Sequence, residues 1–285
     1  MRVFFFGMGY SAQATAEALR TADPGVEIAG TVRDADRARA LAARGYDISV
    51  FDGERPGALR EALSGASHVV ISTPPGAQGD PALRQHWQDL MRARELEWLC
   101  YFSTVGVYGD FGGGWVDESA PRHPVNERSR QRVVAEDEWQ SFATERGVPL
   151  ATLRLAGIYG PGRSTFERLR EGTARRIVKP GQVFNRIHVA DIGRITALAA
   201  QRRLAGAFNL ADDEPAPPQD LVAYAAELMG VEAPPEVAFE DAELSAMARS
   251  FYADNKRVSN AAIKAALGIE LLYPTYREGL SAIAS

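Results

Sequence analysis

The chain has 285 residues, of which 46% are hydrophobic and 24% charged, and its formal net charge is −5. This length can bury about 75% of the unfolded surface, enough for one large domain or for a domain with a small appendage. The acidic balance argues against nucleic acid as a partner, the single cysteine predicts a reducing cytoplasm without disulfides, and no stretch approaches the roughly 20 apolar residues that cross a membrane.

The chain opens with an apolar strand over Val3–Gly7, followed at once by a glycine-rich turn and by a helix over Ala12–Thr21. The turn has the spacing G-x-G-x-x-A, which in a strand–turn–helix context indicates dinucleotide binding. The first glycine permits the tight turn, the second lets a pyrophosphate approach the backbone, and the helix N-terminus favours its negative charge. The predicted cofactor-binding residues of the turn are Gly7, Gly9, Tyr10, Ser11 and Ala12.

Further apolar runs alternate with helical stretches along the chain. The predicted strands are Val26–Val32, Tyr46–Phe51, His68–Thr73, Trp98–Ser103, Leu150–Ile158 and Ala207–Leu210. The predicted helices are Ala35–Ala43, Gly57–Leu63, Pro81–Arg94, Ser129–Arg146, Ile192–Arg202 and Gln219–Leu228. This alternation predicts an α/β fold: a Rossmann-type doubly wound parallel sheet with its cofactor crevice at the carboxyl ends of the strands.

The composition changes near Tyr159, where glycine and proline become frequent. We predict an NAD(P)-binding domain over residues 1–159, to which residues 186–212 return. Residues 160–185 and 213–285 are predicted to form a smaller region that binds substrate and covers the strand ends as a lid.

The end of the second strand bears on the choice of cofactor. Arg33 stands where an NAD-binding unit would carry an acidic residue for the ribose, and Asp34 follows it. Arginine pairs with a 2′-phosphate through charge-assisted hydrogen bonds, so this pattern favours NADP(H) over NAD(H). The alternative is that Arg33 is a solvated surface residue and Asp34 the ribose ligand. Beyond these, the predicted cofactor contacts at the next two strand ends are Asp52, Thr73, Pro74 and Pro75.

Four segments occur in an order that resembles the extended short-chain dehydrogenase/reductase superfamily, the NAD-dependent epimerases and dehydratases. They are the opening turn, Phe102–Gly109 (FSTVGVYG), Leu153–Gly162 (LRLAGIYGPG) and Arg186–Asp191 (RIHVAD). The resemblance extends over nearly the whole chain. It implies the Rossmann-type fold, a nicotinamide cofactor and a small-molecule substrate.

The resemblance places Thr104 in the active site, hydrogen-bonded to the reacting carbonyl or hydroxyl group. It also implies a Tyr-x-x-x-Lys pair on the following helix, with the tyrosine as general acid/base and the lysine on the nicotinamide ribose. Here Asn126 is predicted at the tyrosine position and Arg130 at the lysine position. Arg130 can still hold a ribose hydroxyl, whereas an asparagine side chain transfers no proton. The chain is thus an atypical member with an altered catalytic set.

Three residues are alternatives for the missing proton donor. Tyr108 follows the fifth strand, and its phenol either faces the crevice or has a structural role. Glu127 neighbours the altered position, and His188 opens a strand-to-helix junction where a structural role is favoured over catalysis. A literal Tyr-x-x-x-Lys match, Tyr252–Lys256, lies far downstream and is interpreted as a loop. No metal site is predicted, because the histidines and the cysteine lack metal-ligand spacing.

Arg163 and Arg186 match family positions that face substrate phosphates, which implies an anionic substrate; loop-anchoring ion pairs are the alternative. The Ser129–Arg146 helix resembles the dimer helix of relatives, so a homodimer is a further expectation. Two functions remain open. One is an NADP(H)-dependent oxidoreductase or epimerase-like enzyme, and the other is a dinucleotide-binding sensor or regulator that has kept the pocket and lost the chemistry.

Overall fold

A computed structural model describes residues 1–284 of the chain, apart from the side chain of Met247. The strands are β1 (Arg2–Phe6), β2 (Glu27–Val32), β3 (Asp47–Val50), β4 (His68–Ile71), β5 (Trp98–Thr104), β6 (Trp115–Val116), β7 (Leu150–Leu155), β8 (Gly157–Tyr159), β9 (Arg176–Val178), β10 (Arg186–His188), β11 (Gly206–Leu210), β12 (Glu236–Ala238) and β13 (Arg257–Val258). The helices are α1 (Tyr10–Ala22), α2 (Ala35–Ala42), α3 (Arg60–Ser64), α4 (Pro81–Arg92), α5 (Glu127–Arg146), α6 (Thr165–Arg170), α7 (Val189–Arg202), α8 (Pro218–Met229), α9 (Ala246–Phe251), α10 (Ala261–Leu267) and α11 (Tyr276–Ala284).

Seven of these strands form one parallel sheet in the order β11-β7-β5-β4-β1-β2-β3. The chain builds the sheet outward from β1 in one direction, then returns to the other side of β1 with β4, so the topological switch point lies between β1 and β4. Ligands of doubly wound sheets bind outside the carboxyl ends of the strands at such a point. The predicted fold class, a Rossmann-type α/β fold, is confirmed.

The sheet interior is apolar because helices cover both of its faces. The β1 residues Val3–Phe6 are between 0% and 1% exposed, as expected of a parallel strand without alternation. The main hydrophobic cluster joins Phe4 and Phe6 to Trp139 and Phe142 of α5. The single cysteine, Cys100, lies fully buried in β5, and burial raises the pKa of its thiol.

One predicted strand is corrected by the structure. The sequence suggests a continuous strand over Leu150–Ile158, but the chain leaves the central sheet after Leu155 and β8 pairs instead with β10. The Ala156 N–H still donates to Leu210 O (2.9 Å), whereas the Gly157 N–H donates to Asn185 O (3.0 Å). A Cβ on Gly157 would lie 3.0 Å from that oxygen, so glycine suits the position where the chain turns away.

The chain divides into two compact units, each made of three segments. The first comprises Met1–Thr104, Glu127–Arg154 and Ile192–Phe208, and the second comprises Val105–Asn126, Leu155–Asp191 and the residues from Asn209 onward. The predicted boundaries place residues 105–126 in the first unit, and the structure places them in the second. Among residues 1–284, no helix combines the length and apolar character needed to cross a membrane.

Candidate functional site

The turn between β1 and α1 is held in a shape that only glycine adopts easily. Gly7 has a φ of +88°, and a Cβ there would lie 3.1 Å from Thr73 Cγ2. Thr31 of β2 fixes the turn from the other side, because its Oγ1 accepts from the Gly7 N–H (2.9 Å) and its carbonyl from the Met8 N–H (2.7 Å). Thr31 is a site residue that sequence reasoning missed, and nothing in the G-x-G-x-x-A spacing points to it.

The N-terminus of α1 is open at the same place. Gly9 is the N-cap of this 13-residue helix, no side chain caps it, and a Cβ on Gly9 would have nothing within 4 Å. Across the turn, Thr73 Oγ1 is buried without a hydrogen-bond partner in the described part of the chain. Open space before a glycine N-cap beside an orphaned hydroxyl fits a pyrophosphate, so the residues present suit a dinucleotide.

The ends of β2 and β3 carry the residues predicted for the adenosine half. Arg33 is exposed, while the Asp34 carboxylate accepts from the Arg37 N–H (2.8 Å) and so caps α2. Asp52 is exposed after β3 and accepts from the N–H groups of residues 54 (2.9 Å) and 55 (3.3 Å), which lower its pKa. Together with Pro74 and Pro75 after β4, these residues lie along the carboxyl edge of one sheet.

The end of β5 is held by α5. Arg132 donates through Nη1 to Phe102 O (2.6 Å) and to the Tyr101 hydroxyl (3.1 Å). Its Nε and Nη2 donate to no atom of residues 1–284, so three of its five N–H donors remain available. Thr104, which follows this anchored segment, is half-buried.

Arg130 lies on another face of α5. Its guanidinium is exposed and its Nε pairs with Glu127 Oε2 at 3.0 Å. The buried stripe of α5 includes Ala135, Trp139 and Phe142, and residue 132 shares this stripe through its helical spacing whereas residue 130 does not. Helical periodicity could therefore have identified Arg132 from the sequence, although the predicted placement selected Arg130.

A buried polar cluster lies one helical turn beyond Arg132. Glu136 Oε1 accepts from Ser103 Oγ (2.5 Å) and from Arg154 Nε (3.1 Å), and its Oε2 accepts from Arg154 Nη2 (2.8 Å). The three residues are between 4% and 6% exposed. They connect α5, β5 and β7 directly beside the Ser103–Thr104 peptide bond.

In the second unit, the structure gives Tyr108 a buried position. It ends the 3₁₀ turn over Val105–Tyr108, is 0% exposed, and donates through its hydroxyl to Asn209 Oδ1 (2.7 Å). Its role as proton donor stays a prediction, against which this burial weighs. Asn126 is half-buried immediately before α5.

The predicted substrate arginines differ in environment. Arg163 is exposed and closes a tight turn, in which its backbone pairs with that of Gly160. Arg186 is buried and donates through Nη1 to the carbonyls of Phe184 and Ala216, both at 3.1 Å. Burial also raises the pKa of the adjacent Asp212 to about 8, although Arg186 partly opposes this shift.

The other acid/base alternatives have structural partners. His188 Nδ1 accepts from the Ala190 N–H (3.2 Å), and the ring lies between those of Tyr159 and Tyr273, where burial lowers its pKa to about 4. Lys256 donates to Gly109 O (3.0 Å) and pairs with Asp254, in the loop before α10. Over the described residues, no group of three or more histidine, cysteine or acidic side chains could hold a metal ion.

Comparison with protein families gives one match. The model of the NAD dependent epimerase/dehydratase family matches residues 83–211. No curated protein matches the chain.

Comparison with solved structures gives many matches, one of them at high identity. A functionally unknown conserved protein from Silicibacter pomeroyi DSS is 46% identical, with 99% of this chain and 98% of that one covered and a TM-score of 0.89. UDP-glucuronic acid 4-epimerase from Bacillus cereus, solved with NAD, is 16% identical over 100% of this chain and 97% of that one (TM-score 0.78). The human epimerase family protein SDR39U1, solved with NADPH, is 16% identical over 100% and 99% (TM-score 0.74). The last two show a shared fold.

Proposed function

This chain belongs to the NAD-dependent epimerase/dehydratase family of extended short-chain dehydrogenases/reductases, and from that premise we propose that it binds a nicotinamide dinucleotide and acts on a small molecule. The observation that carries the proposal is the uncapped N-terminus of α1 at Gly9, beside the unpartnered Thr73 Oγ1. The helix N-terminus would hold the pyrophosphate and the threonine hydroxyl an adjacent oxygen. The neighbours solved with NAD and with NADPH agree with this class of cofactor.

We further propose that NADP(H) is preferred. Asp34, the alternative ligand for the adenosine ribose, already accepts a backbone hydrogen bond as the cap of α2. Arg33 is exposed beside it and forms no ion pair within the described residues. A free guanidinium next to an occupied carboxylate suits a 2′-phosphate better than a pair of ribose hydroxyls.

For the nicotinamide half, the cation on α5 is assigned to Arg132 in preference to Arg130. Arg132 is anchored at the end of β5 and has donors to spare, whereas Arg130 is turned to solvent and neutralised by Glu127. The ends of β4 and β5 lie on the opposite side of β1 from Arg33, so the two arginines would contact opposite halves of an extended dinucleotide.

The proposed reaction is an oxidoreduction or an epimerisation-like conversion. A bound nicotinamide supplies hydride transfer, and the chain supplies Thr104, which would hydrogen-bond the reacting oxygen. Asn126 can orient a substrate and cannot exchange a proton with it, so the proton donor is a residue other than the usual tyrosine. Arg163 is the proposed contact for an anionic substrate group, while the bonds of Arg186 to two carbonyls favour an anchoring role.

A second function, a dinucleotide-binding sensor or regulator, is favoured by one observation. The position predicted for the catalytic tyrosine carries Asn126. Turnover of bound NADPH with a carbonyl or nucleotide-sugar substrate, lost in Thr104→Ala, would support the enzyme. A cofactor-dependent partner interaction without turnover would support the sensor. In either case a reducing cytosol is the proposed location, since the one thiol is buried and unpaired.

The test is a parallel titration with NADPH and NADH, followed by quenching of tryptophan fluorescence, on the natural protein and on Gly9→Ala. The variant should unfold within about 1 kcal/mol of the natural protein, because its Cβ meets no neighbour and only the cap preference changes. Its affinity for both cofactors should fall at least about tenfold, because the methyl group occupies the approach of the pyrophosphate. Equal affinities of the two proteins, or no binding by the natural protein, would overturn the proposal.

A further inference from the structure

The cluster of Ser103, Glu136 and Arg154 is an unusual way to join a helix to a sheet. Its members are at most 6% exposed, and the arginine binds the carboxylate with two nitrogens at 2.8 and 3.1 Å. Burying an ion pair costs desolvation that its attraction often fails to recover, and apolar residues of similar volume commonly serve stability as well or better. What such a bidentate contact adds is a fixed orientation.

The orientation that it fixes is that of the β5 end. Glu136 holds the side chain of residue 103, and Arg132, four residues earlier on the same helical face, holds the carbonyl of residue 102 and the hydroxyl of residue 101. Two residues of α5 therefore grip three consecutive residues of β5. The next residue in the chain is Thr104.

We infer that Glu136 is a positioning residue, which through Ser103 and Arg154 sets the register of α5 against β5 and so places Thr104 and Arg132 for the nicotinamide half of the cofactor. The inference rests on the proposed function. The adenosine half would meet the turn after β1 and the ends of β2 and β3, to which Glu136 makes no contact within the described residues. A defect in the Glu136 cluster should therefore affect one half of the dinucleotide and spare the other.

The experiment compares NADPH with 2′,5′-ADP, which is the adenosine half alone, by calorimetric titration of four proteins. These are the natural protein, Glu136→Gln, Ser103→Ala, and the double variant Glu136→Met/Arg154→Met. The double variant replaces the buried ion pair by apolar side chains, so its unfolding temperature should recover towards that of the natural protein. Ser103→Ala keeps the ion pair and removes only its link to the strand, and it remains informative if Glu136→Gln does not fold.

We expect NADPH to bind about tenfold more weakly to Glu136→Gln and to the double variant, and a few-fold more weakly to Ser103→Ala, while 2′,5′-ADP binds all four equally. Recovery of NADPH affinity together with stability in the double variant would overturn the inference, since Glu136 would then act through stability alone. An equal loss of affinity for both ligands would overturn it as well. Failure of the natural protein to bind NADPH would instead refute the proposed function, and the inference with it.

Discussion

Arg33 and Asp34 follow β2 side by side, and only the aspartate has a partner within its own unit. The sequence leaves two alternatives open at this point, a 2′-phosphate on the arginine or ribose hydroxyls on the aspartate. The cap that Asp34 forms on α2 makes the second alternative costly, because the carboxylate would have to leave the Arg37 N–H unpaired. The choice of cofactor is thus argued from a helix cap.

Replacing the guanidinium gives the corresponding prediction. Arg33→Ala should weaken NADPH binding about tenfold and leave NADH binding unchanged, because only the former ligand carries the phosphate. Arg94→Ala, which removes an exposed arginine located between α4 and β5, is the matched control. Fluorescence titration of both variants with both cofactors measures the effect, and an unchanged ratio of affinities in Arg33→Ala would refute the NADP(H) preference.

The two arginines of α5 can be separated in the same way. Arg132→Ala should weaken NADPH binding about tenfold, because a group with three available donors is lost, and Arg130→Ala should change it less than twofold, because that side chain is exposed and paired with Glu127. Arg132→Lys should recover part of the affinity, since it keeps the charge without the planar fork. The reverse order of effects would return the assignment to Arg130.

At the scale of elements, the sequence predicted the strands of the central sheet and the helices around them because their signals are local. Apolar runs end at glycine or proline, and helices carry a buried stripe. The exit of the chain at Gly157 was missed, since the alternative partner, Asn185, lies 28 positions away. The pairing of β6 with β13 is likewise set by residues about 140 positions apart. Glu136 and Arg154 read as ordinary surface charges in the sequence, and only the fold brings them together.

The N-terminus of α4 supplies a prediction about pH. Asp80 caps this helix by accepting from the N–H groups of Ala82 (2.9 Å) and Leu83 (3.3 Å), and its burial raises its pKa from 3.8 to about 6. The folded protein therefore binds this proton more tightly than the unfolded chain does. The contribution of Asp80 to stability is favourable in acid and is lost as the pH rises from about 4 to about 6.

Asp80→Asn keeps an acceptor for the cap and removes the charge. Its free energy of unfolding should exceed that of the natural protein by an amount on the order of 2 to 3 kcal/mol at pH 7.5, and the two should converge below pH 4. Urea unfolding across this range measures the difference. His188, whose pKa is lowered to about 4, contributes a slope of opposite sign, but it does so in both proteins and cancels. A difference that does not vary with pH would contradict the prediction.

At the scale of the molecule, the two units are built from interleaved segments. The first unit needs residues on both sides of 105–126 and of 155–191, and the second needs those segments themselves. No single cut separates them, so isolated pieces of the chain are poor reagents for testing either unit. Each experiment above accordingly uses the full chain.

Association with a second copy is a prediction at this scale as well. Val134 on α5 is 52% exposed and lines an open depression of about 410 Å³ with Trp87 of α4. If α5 pairs with its copy, Val134→Glu should raise the dimer dissociation constant at least about tenfold, because a carboxylate would be buried at the interface. Val231→Glu, at a similarly exposed valine after α8, should leave it unchanged. Sedimentation velocity measures both, and a monomeric natural protein would refute the pairing.

The thiol of Cys100 gives the chain an internal clock. It is the chain's one cysteine, it is fully buried in β5, and β4 and β7 flank that strand. A thiol reagent can modify it only when the first unit opens, and burial keeps it protonated until then. The rate of labelling in native buffer therefore counts opening events, and with a fast reagent it reports the lifetime of the folded unit without any engineered probe. A bound dinucleotide that holds β1 to β5 together would lengthen that lifetime.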